Sequence, residues 1–403
     1  MTALLPDAPW RHRAGLSALL TALGVADGAA RYVGGAVRDG LLGLPVNDLD
    51  IATSLPPTAV MERLQDAGIK TVPTGIDHGT VTAVLADGPV EITTLRRDVS
   101  TDGRRATIAY TDDWRQDAAR RDFTINALYA DPASGAISDF FGGLADLQSR
   151  TVRFIGDPRE RIAEDHLRIM RYFRFLARYG GGVPDELSFS ACREAANSLM
   201  ALSRERIADE LLKLLLVVDP APTLDMMVRG GILRAVLPEI DAEGVLRLAQ
   251  MANRENVAKI EPSAVRRLTA LAPQNREIAD QIAARLKLSN KARKRMALAL
   301  TPIDPAMSLN ELAYRRGVEG AADGWLLDQS RDPALLTILQ DWRKPAFAVG
   351  GGALIARGLA PGPDVAKALR EVEEQWIAEG FPERARLDQI ADQTVSKFQR
   401  TRQ

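Results

Sequence analysis

The sequence is poor in the residues that most metal and nucleophile chemistry uses. It holds one cysteine, Cys192, and three histidines, His12, His78 and His166, in 403 residues. A single cysteine excludes an internal disulfide framework and suits a reducing compartment. Three scattered histidines leave a zinc site, or a His/Asp phosphohydrolase centre, short of ligands. An excess of one charge is missing too. Lys and Arg number 52 against 53 Asp and Glu, a net charge of −1, so a polyanion would have to be met by a local patch. No apolar run reaches the roughly 18 residues that a membrane span needs. Arg11-His12-Arg13 followed by AGLSALLTALGVA imitates a signal peptide. Yet Leu16, Leu19, Leu20 and Leu23 fall at i, i+3, i+4 and i+7, the stripe of an amphipathic helix packed on a core. These absences point to a cytoplasmic protein with no membrane partner.

What is present reads as a multi-part globular chain. The hydrophobic content of 46% and charged content of 26% are ordinary, and the length predicts roughly two to four domains. RYV, DLDIA, TVTAVL and VEITTL are short β-rich runs within the first ~150 residues, with a turn at Ala86-Asp87-Gly88-Pro89 between the last two. From Asp157 onward helical patterns follow one another, punctuated by Gly180-Gly181-Gly182, Asp219-Pro220, Gly230-Gly231 and Pro361-Gly362-Pro363. This segregation predicts an α+β fold: an N-terminal head with a small mixed sheet and helices, then an all-helical remainder.

The densest chemistry lies in YVGGAVRDGLLGLPVNDLDIA, residues 32–52. In Asp48-Leu49-Asp50 a strand's period of two puts both carboxylates on one face. Their repulsion is best relieved by a divalent cation, and Mg²⁺ with oxygen ligands is the natural occupant. Gly34-Gly35 follows a strand and opens a helix, where bare N–H groups can receive phosphate. Arg38, one turn on, can add charge-assisted bonds to the same group. Each feature also has a plain reading, an acidic loop and a tight turn. Glu91, at the start of VEITT, is the candidate third carboxylate for a two-metal centre.

The ordered series GGAVRD, DLD, EITTLR and RRDFTINAL (120–128) resembles the class II tRNA nucleotidyltransferase and bacterial poly(A) polymerase family, within the polymerase-β-like nucleotidyltransferases. DFFGGLADL (139–147), FIGDPRERIAEDHLRIMRYFRF (154–175), LKLSNKARKR (286–295) and Pro361–Pro363 continue the likeness. The resemblance implies a catalytic head (1–150), a neck that recognises the base (151–215), and an RNA-binding body (216–300) and tail (301–403). It implies Asp48 and Asp50 as Mg²⁺ ligands, Glu91 as a supporting carboxylate, and Gly34, Gly35 and Arg38 at the triphosphate. Either Arg120 or Arg121 would contact the nucleotide, and the residues alone leave that choice open.

Residues 159–178 carry six arginines and no lysine. Read as one helix, Ile162, Ile169, Phe173 and Leu176 form a core stripe, while Arg168, Arg171 and Arg174 fan over the opposite side with Asp165 one turn before Arg168. Cytosine and adenine each present an exocyclic amine beside an unprotonated ring nitrogen. An aspartate can accept from the amine while an arginine donates to the nitrogen; uracil and guanine reverse that order. The family's EDxxR pair has this part, which the resemblance carries to Asp165 and Arg168, with Arg171 and Arg174 as pocket partners.

Lys287, Lys291, Arg293, Lys294 and Arg295 form a basic run without an intervening acid, a candidate RNA contact behind a helix start at Ser289-Asn290. Thr101–Gln116 reads as a polar connector, linked in the family to switching from C to A addition. The implied activity is template-independent addition of CCA to the 3′ end of tRNA from CTP and ATP, with no obligate protein partner. A poly(A) polymerase is the nearest alternative and a non-catalytic RNA-binding protein the second. Val72–Thr80 in place of a G-[RK]-[RK]-F stretch, and the modest KFQRTRQ ending, favour CCA addition.

Overall fold

The computed structural model describes residues 3–102 and 105–400. They form two compact units, residues 1–242 and 243–403. The first unit holds the sheet and the second is helical, in keeping with the expected α+β class.

In the first unit the described residues form a seven-stranded sheet in the order β3-β4-β5-β2-β1-β8-β9. The strands are β1 (Ala30–Val33), β2 (Leu49–Thr53), β3 (Thr71–Gly75), β4 (Thr80–Leu85), β5 (Gly88–Thr94), β8 (Leu128–Ala130) and β9 (Ile137–Asp139). β2 and β5 run parallel, and the other neighbours are antiparallel. The four expected strands are β1, β2, β4 and β5, and Leu85 pairs with Gly88 across the expected turn. Three strands were not expected: β8 and β9 have only three residues each, and β3 carries Pro73 with a register shift between Val72 and Gly75. The connector expected at Thr101–Gln116 is largely a second, two-stranded ribbon, β6 (Arg96–Asp102) with β7 (Arg105–Tyr110). Its sequence is charged and lacks apolar alternation, so backbone pairing, which composition does not display, forms it.

The helices of this unit are α1 (Leu16–Ala22), α2 (Gly35–Leu41), α3 (Pro57–Asp66), α4 (Trp114–Ala119), α5 (Gly143–Gln148), α6 (Pro158–Glu164), α7 (Leu167–Tyr179), α8 (Glu186–Glu194), α9 (Arg204–Leu215) and α10 (Ala221–Arg229). Leu16, Leu19 and Leu23 are fully buried, as their spacing predicts. Residues 159–178 do not form one helix. Asp165 adopts extended angles (φ −151°, ψ 106°) between α6 and α7. Asp157 caps α6 through a hydrogen bond from Arg159 N (2.8 Å), and Leu167 N donates to Asp165 Oδ1 (3.1 Å), so Asp165 begins α7 in an N-cap manner. The apolar stripe survives the break: Ile162, Ile169, Phe173 and Leu176 are all buried.

Close approach explains one glycine in the FFGG stretch. A Cβ on Gly143 would lie 2.3 Å from the carbonyl oxygen of Thr124. Only glycine lets α5 seat against the RRDFTINAL turn, where Asp146 accepts from Thr124 Oγ1 (2.5 Å) and Arg153 Nε (2.7 Å).

The second unit comprises α11 (Ala242–Ala258), α12 (Ala264–Leu271), α13 (Arg276–Arg285), α14 (Asn290–Ala299), α15 (Leu309–Leu327), α16 (Gly351–Ala356), α17 (Pro363–Ala378) and α18 (Arg384–Arg400). Ser289 caps α14 as expected, accepting from Ala292 N at 3.2 Å. Beside its two apolar clusters, one around Leu312, Trp325 and Leu326 and one around Val372, Trp376 and Ile390, this unit buries a charged network. Buried Glu255 accepts from Arg266 and Arg267, each at 2.7 Å, and buried Asp323 accepts from Arg266 (2.7 Å) and Arg295 (2.5 Å). Such a network stands only because each carboxylate oxygen has its donor.

Candidate active site

The site is built on the parallel pair β2 and β5. Asp50 is the second residue of β2 and lies in register with Glu91 of β5. Asp48 falls in the bend just before β2 and is exposed, so the strand begins one residue later than the DLD pattern implies. Burial and the facing Glu91 charge push the Asp50 carboxyl from 3.8 up to about 6. Asp48 adds to the rise, while Arg121 and Arg38 pull against it. A carboxyl whose ionisation is opposed by burial and by acidic neighbours is one that a cation stabilises. The donor set is all oxygen, which fits a hard divalent ion. Among the described residues no three carboxylate, histidine or cysteine side chains form a complete cage. The chain would therefore supply part of the shell, with water and phosphate oxygens supplying the remainder.

Above the carboxylates, β1 ends at the glycine turn. Gly34 has φ +65° and ψ −124°, angles that need glycine, and its N–H donates to Leu128 O (3.1 Å) on β8. A Cβ placed there would stand 3.5 Å from Arg121 Nη1. Arg121 therefore faces both the turn and Asp50, and is the member of the Arg120/Arg121 pair nearer the chemistry. Its position is set by Asp117, a buried residue the sequence reading passed over. Asp117 bonds Arg120 at 2.8 Å and Arg121 at 3.1 Å, and accepts the Tyr129 hydroxyl at 2.6 Å. Burial alone would raise the Asp117 carboxyl; the two guanidiniums and the hydroxyl overcome it and hold it at about 2. The signal was present, since Asp117 precedes the arginines by three and four residues on one helical face.

Arg38, expected at the triphosphate, sits inside the protein at 7% exposure. It donates to Asp39 Oδ1 (2.8 Å) and to the Asn126 side-chain oxygen, and its guanidinium lies 4.1 Å from the Tyr179 ring centre. Asn126 donates in turn to Asp122 Oδ1 (2.9 Å), and Asp122 Oδ2 accepts from Arg171 Nε (2.9 Å). One chain of bonds thus runs from the glycine turn of α2 to the arginine face of α7.

On α6 and α7 the expected partners are exchanged. Asp165 Oδ2 accepts from Arg206 of α9 at 2.7 Å and does not pair with Arg168. Arg168 bonds Glu164 and donates to the Arg161 carbonyl at 2.6 Å. The break at Asp165 causes this exchange, because an i, i+3 pair requires an unbroken helix. Arg174 binds Glu210 of α9 at 2.5 Å, and Glu210 also stands 3.7 Å from Arg171. Glu164, Asp165, His166 and Arg206 border a cavity of about 540 Å³. Asp165 therefore stands beside an open space, with Arg206 of α9 on its second wall.

The basic run on α14 divides. Arg293 makes a two-pronged pair with Asp280 of α13 at 2.9 Å, and Arg295 is drawn into the Asp323 network with Glu319 and Ser263. The absence of acids in the linear sequence is offset by carboxylates from α13 and α15. Lys291 and Lys294 remain as cations of the run that make no ion pair among the described residues.

Parallel strands with facing carboxylates, a glycine turn and a braced arginine define a phosphoryl-transfer head of the nucleotidyltransferase class. Residues 30–153 match the family described as "Poly A polymerase head domain", and residues 184–243 match "Probable RNA and SrmB- binding site of polymerase A". The chain is 34% identical over 367 residues to the mitochondrial CCA tRNA nucleotidyltransferase 1 of Mus musculus, covering 87% of this chain and 83% of that one. It is 32% identical to the CCA-adding enzyme of Latilactobacillus sakei, covering 88% and 91%. The structure of the Bacillus stearothermophilus CCA-adding enzyme in complex with CTP superimposes with a TM-score of 0.76 at 26% identity, over 98% of this chain and 100% of that one. The chain belongs to the family of CCA-adding tRNA nucleotidyltransferases. Among the described residues no helix is long and apolar enough to cross a membrane.

Proposed function

We propose that the chain completes the CCA end of tRNA in the cytoplasm, adding C, C and A in turn from CTP and ATP without a template. The observation that carries this reading is the family relationship over most of the chain, joined to the placement of Asp50, Glu91, Gly34 and Arg121 around one point of the head. Asp48 and Asp50 would hold Mg²⁺, with Glu91 as the supporting carboxylate that tunes Asp50. Bound there, the metal would lower the pKa of the attacking hydroxyl and offset charge on the phosphates. The glycine turn and Arg121 orient the triphosphate, and Asp117 keeps Arg121 aimed. The tRNA 3′-oxygen forms a bond to the α-phosphorus while the bond to the bridging oxygen breaks, and pyrophosphate leaves.

Asp165 and Arg168 read the base edge as acceptor and donor, which suits cytosine and adenine and opposes uracil and guanine. Arg206 fixes the Asp165 carboxylate, and Glu164 fixes Arg168. Arg171, tied to Asp122, and Arg174, tied to Glu210, line the approach. The division into head, neck, body and tail at 150, 215 and 300 belongs to this reading, as do Lys287, Lys291 and Lys294 as RNA contacts. Purified protein with Mg²⁺ and tRNAs lacking A, CA or CCA, given each nucleotide separately, tests it. Addition that stops at CCA supports it, a long A-tract supports a poly(A) polymerase, and RNA binding without incorporation sinks both. Asp48→Ala and Asp50→Ala are expected to abolish addition and leave tRNA binding intact.

A further inference from the structure

The arginine that faces the glycine turn is held by more than its carboxylate. Arg121 Nη2 donates to Asp117 Oδ2 at 3.1 Å, and Arg121 Nε donates to the Tyr129 hydroxyl at 3.2 Å. The hydroxyl in turn donates to the same Asp117 oxygen at 2.6 Å. A group set between a carboxylate and a guanidinium must donate on one side and accept on the other, and a neutral hydroxyl does both. Burial raises the Tyr129 phenol well above its ordinary 10; Arg121 pulls against the rise and Asp117 adds to it. The hydroxyl therefore keeps its proton and stays a donor to Asp117.

A guanidinium is a rigid planar fork of three nitrogens. With Nε given to Tyr129 and Nη2 to Asp117, the end that carries Nη1 is left for a ligand. Nη1 is also the atom that would stand 3.5 Å from a Cβ on Gly34, so this end faces the glycine turn. Tyr129 is itself fixed from two directions. Its side chain is fully buried, with the Trp114 ring edge-on at 5.4 Å and the Phe140 ring at 6.0 Å. Its backbone pairs with Val33 across β8 and β1, and the carbonyl of the neighbouring Leu128 accepts from the Gly34 N–H. One strand residue thus meets the glycine turn through its backbone and the arginine through its hydroxyl.

We propose that Tyr129 is a positioning residue for nucleotidyl transfer: its hydroxyl fixes the rotation of the Arg121 guanidinium so that the Nη1 end points at the triphosphate on the Gly34 turn. Without the hydroxyl, Nε loses its acceptor, and Asp117 alone holds the guanidinium, which can then turn about that one contact. A phosphate contact depends on this orientation, because the two-pronged geometry of arginine is directional. The assignment rests on the reading that places the triphosphate at Gly34 and Arg121. It concerns the part of the nucleotide that CTP and ATP share, so it predicts equal effects on both and none on the choice of base.

Steady-state C addition to tRNA lacking CCA and A addition to tRNA ending in CC, each with inorganic pyrophosphate as inhibitor, test it in Tyr129→Phe. KM and the inhibition constant do not depend on how much of the protein is folded, so a loss of stability cannot imitate the effect. KM for CTP and for ATP should rise together by roughly 10-fold, the scale of a hydrogen bond to a charged group. The inhibition constant of pyrophosphate should rise by a similar factor, while KM for tRNA and the preference for CTP over UTP stay constant. In an Arg121→Lys background the same substitution should change these constants by less than about 2-fold, because lysine has no planar fork to orient. Equal factors in the two backgrounds overturn the proposal. So does a Tyr129→Phe protein that melts lower with KM and pyrophosphate inhibition unmoved, since that is a packing role alone. A lost preference for CTP with unchanged pyrophosphate inhibition overturns it as well, by giving the hydroxyl to the base. If Tyr129→Phe does not fold, Phe140→Leu keeps the hydroxyl and loosens the ring. It should shift the same constants in the same direction, and no shift overturns the proposal. A wild-type chain that adds no nucleotide is a different result, and defeats the functional reading itself.

Discussion

Asp50→Asn separates what the site does for catalysis from what it costs the fold. Asp50 is partly buried on β2, and its carboxyl lies at about 6 against an ordinary 3.8, because burial and the Glu91 charge oppose its ionisation. For an acid raised in the folded state, the folded protein holds the proton more tightly than the unfolded chain. The destabilisation is complete above about pH 6 and disappears as pH falls toward 4. At about 1.4 kcal/mol per tenfold change in the ionisation constant, the ceiling is ~3 kcal/mol, and solvent around a partly exposed group reduces it. Asparagine has nearly the same shape and no charge to desolvate. In chelator at pH 7.5 the variant should therefore be more stable than the wild type, by roughly 3–10 °C in Tm for a unit of this size. The advantage should shrink at pH 4.5. Nucleotide addition should fall by at least about 10²- to 10³-fold, the scale of losing one oriented electrostatic group, and added Mg²⁺ should stabilise only the wild type. Thermal melts with and without Mg²⁺ at the two pH values read all of this. An Asp50→Asn protein melting at or below the wild type at pH 7.5 in chelator would refute the account of Asp50.

Asp117→Ala should destabilise the first unit by about 3–5 kcal/mol, because it leaves Arg120 and Arg121 without their buried partner, as measured by urea unfolding. The Asp117 carboxyl is held at about 2, so its contribution is present above pH 4 and is lost as pH falls from 4 toward 2; a flat acid limb would contradict this. Arg206→Ala releases Asp165 and should lower the preference for CTP over UTP while KM for tRNA stays constant; an unchanged preference would show that Asp165 does not depend on it. Arg38→Lys keeps the charge but loses the fork that spans Asp39 and Asn126 and the stacking on Tyr179, and should cost stability measurable in the same melts. A variant as stable as the wild type would contradict the brace.

The sequence made the catalytic head legible because its signals are local. DLD at a strand start, GG at a strand end and an acid in the strand paired beside it are short-range patterns, and the parallel register Asp50↔Glu91 joins them; only Asp48, in the bend before β2, departs from the period of two. The resemblance supplied the order of the motifs and hence the helical remainder. What stayed hidden is pairing between segments far apart in the chain. Helical spacing puts Asp165 one turn before Arg168, as an ion pair would need, but the backbone breaks at Asp165 and Arg206 arrives from 41 residues away. Arg38 looked free for phosphate because neither Tyr179 nor Asn126 is near it in sequence. The α14 run looked uniformly basic because Asp280 and Asp323 approach only in the fold. Charge patterns show which residues carry charge; the tertiary structure decides which of those charges remain available.

The central claim is that one protein pocket, without a template, selects cytosine and adenine by their donor and acceptor order. The most direct measurement is kcat/KM for CTP against UTP, on tRNA lacking CCA, for the wild type and Arg168→Ala. Removing the donor should reduce the ratio by roughly 5- to 150-fold, the value of about 1–3 kcal/mol for a two-point base contact. A ratio equal to that of the wild type would contradict the base-reading account.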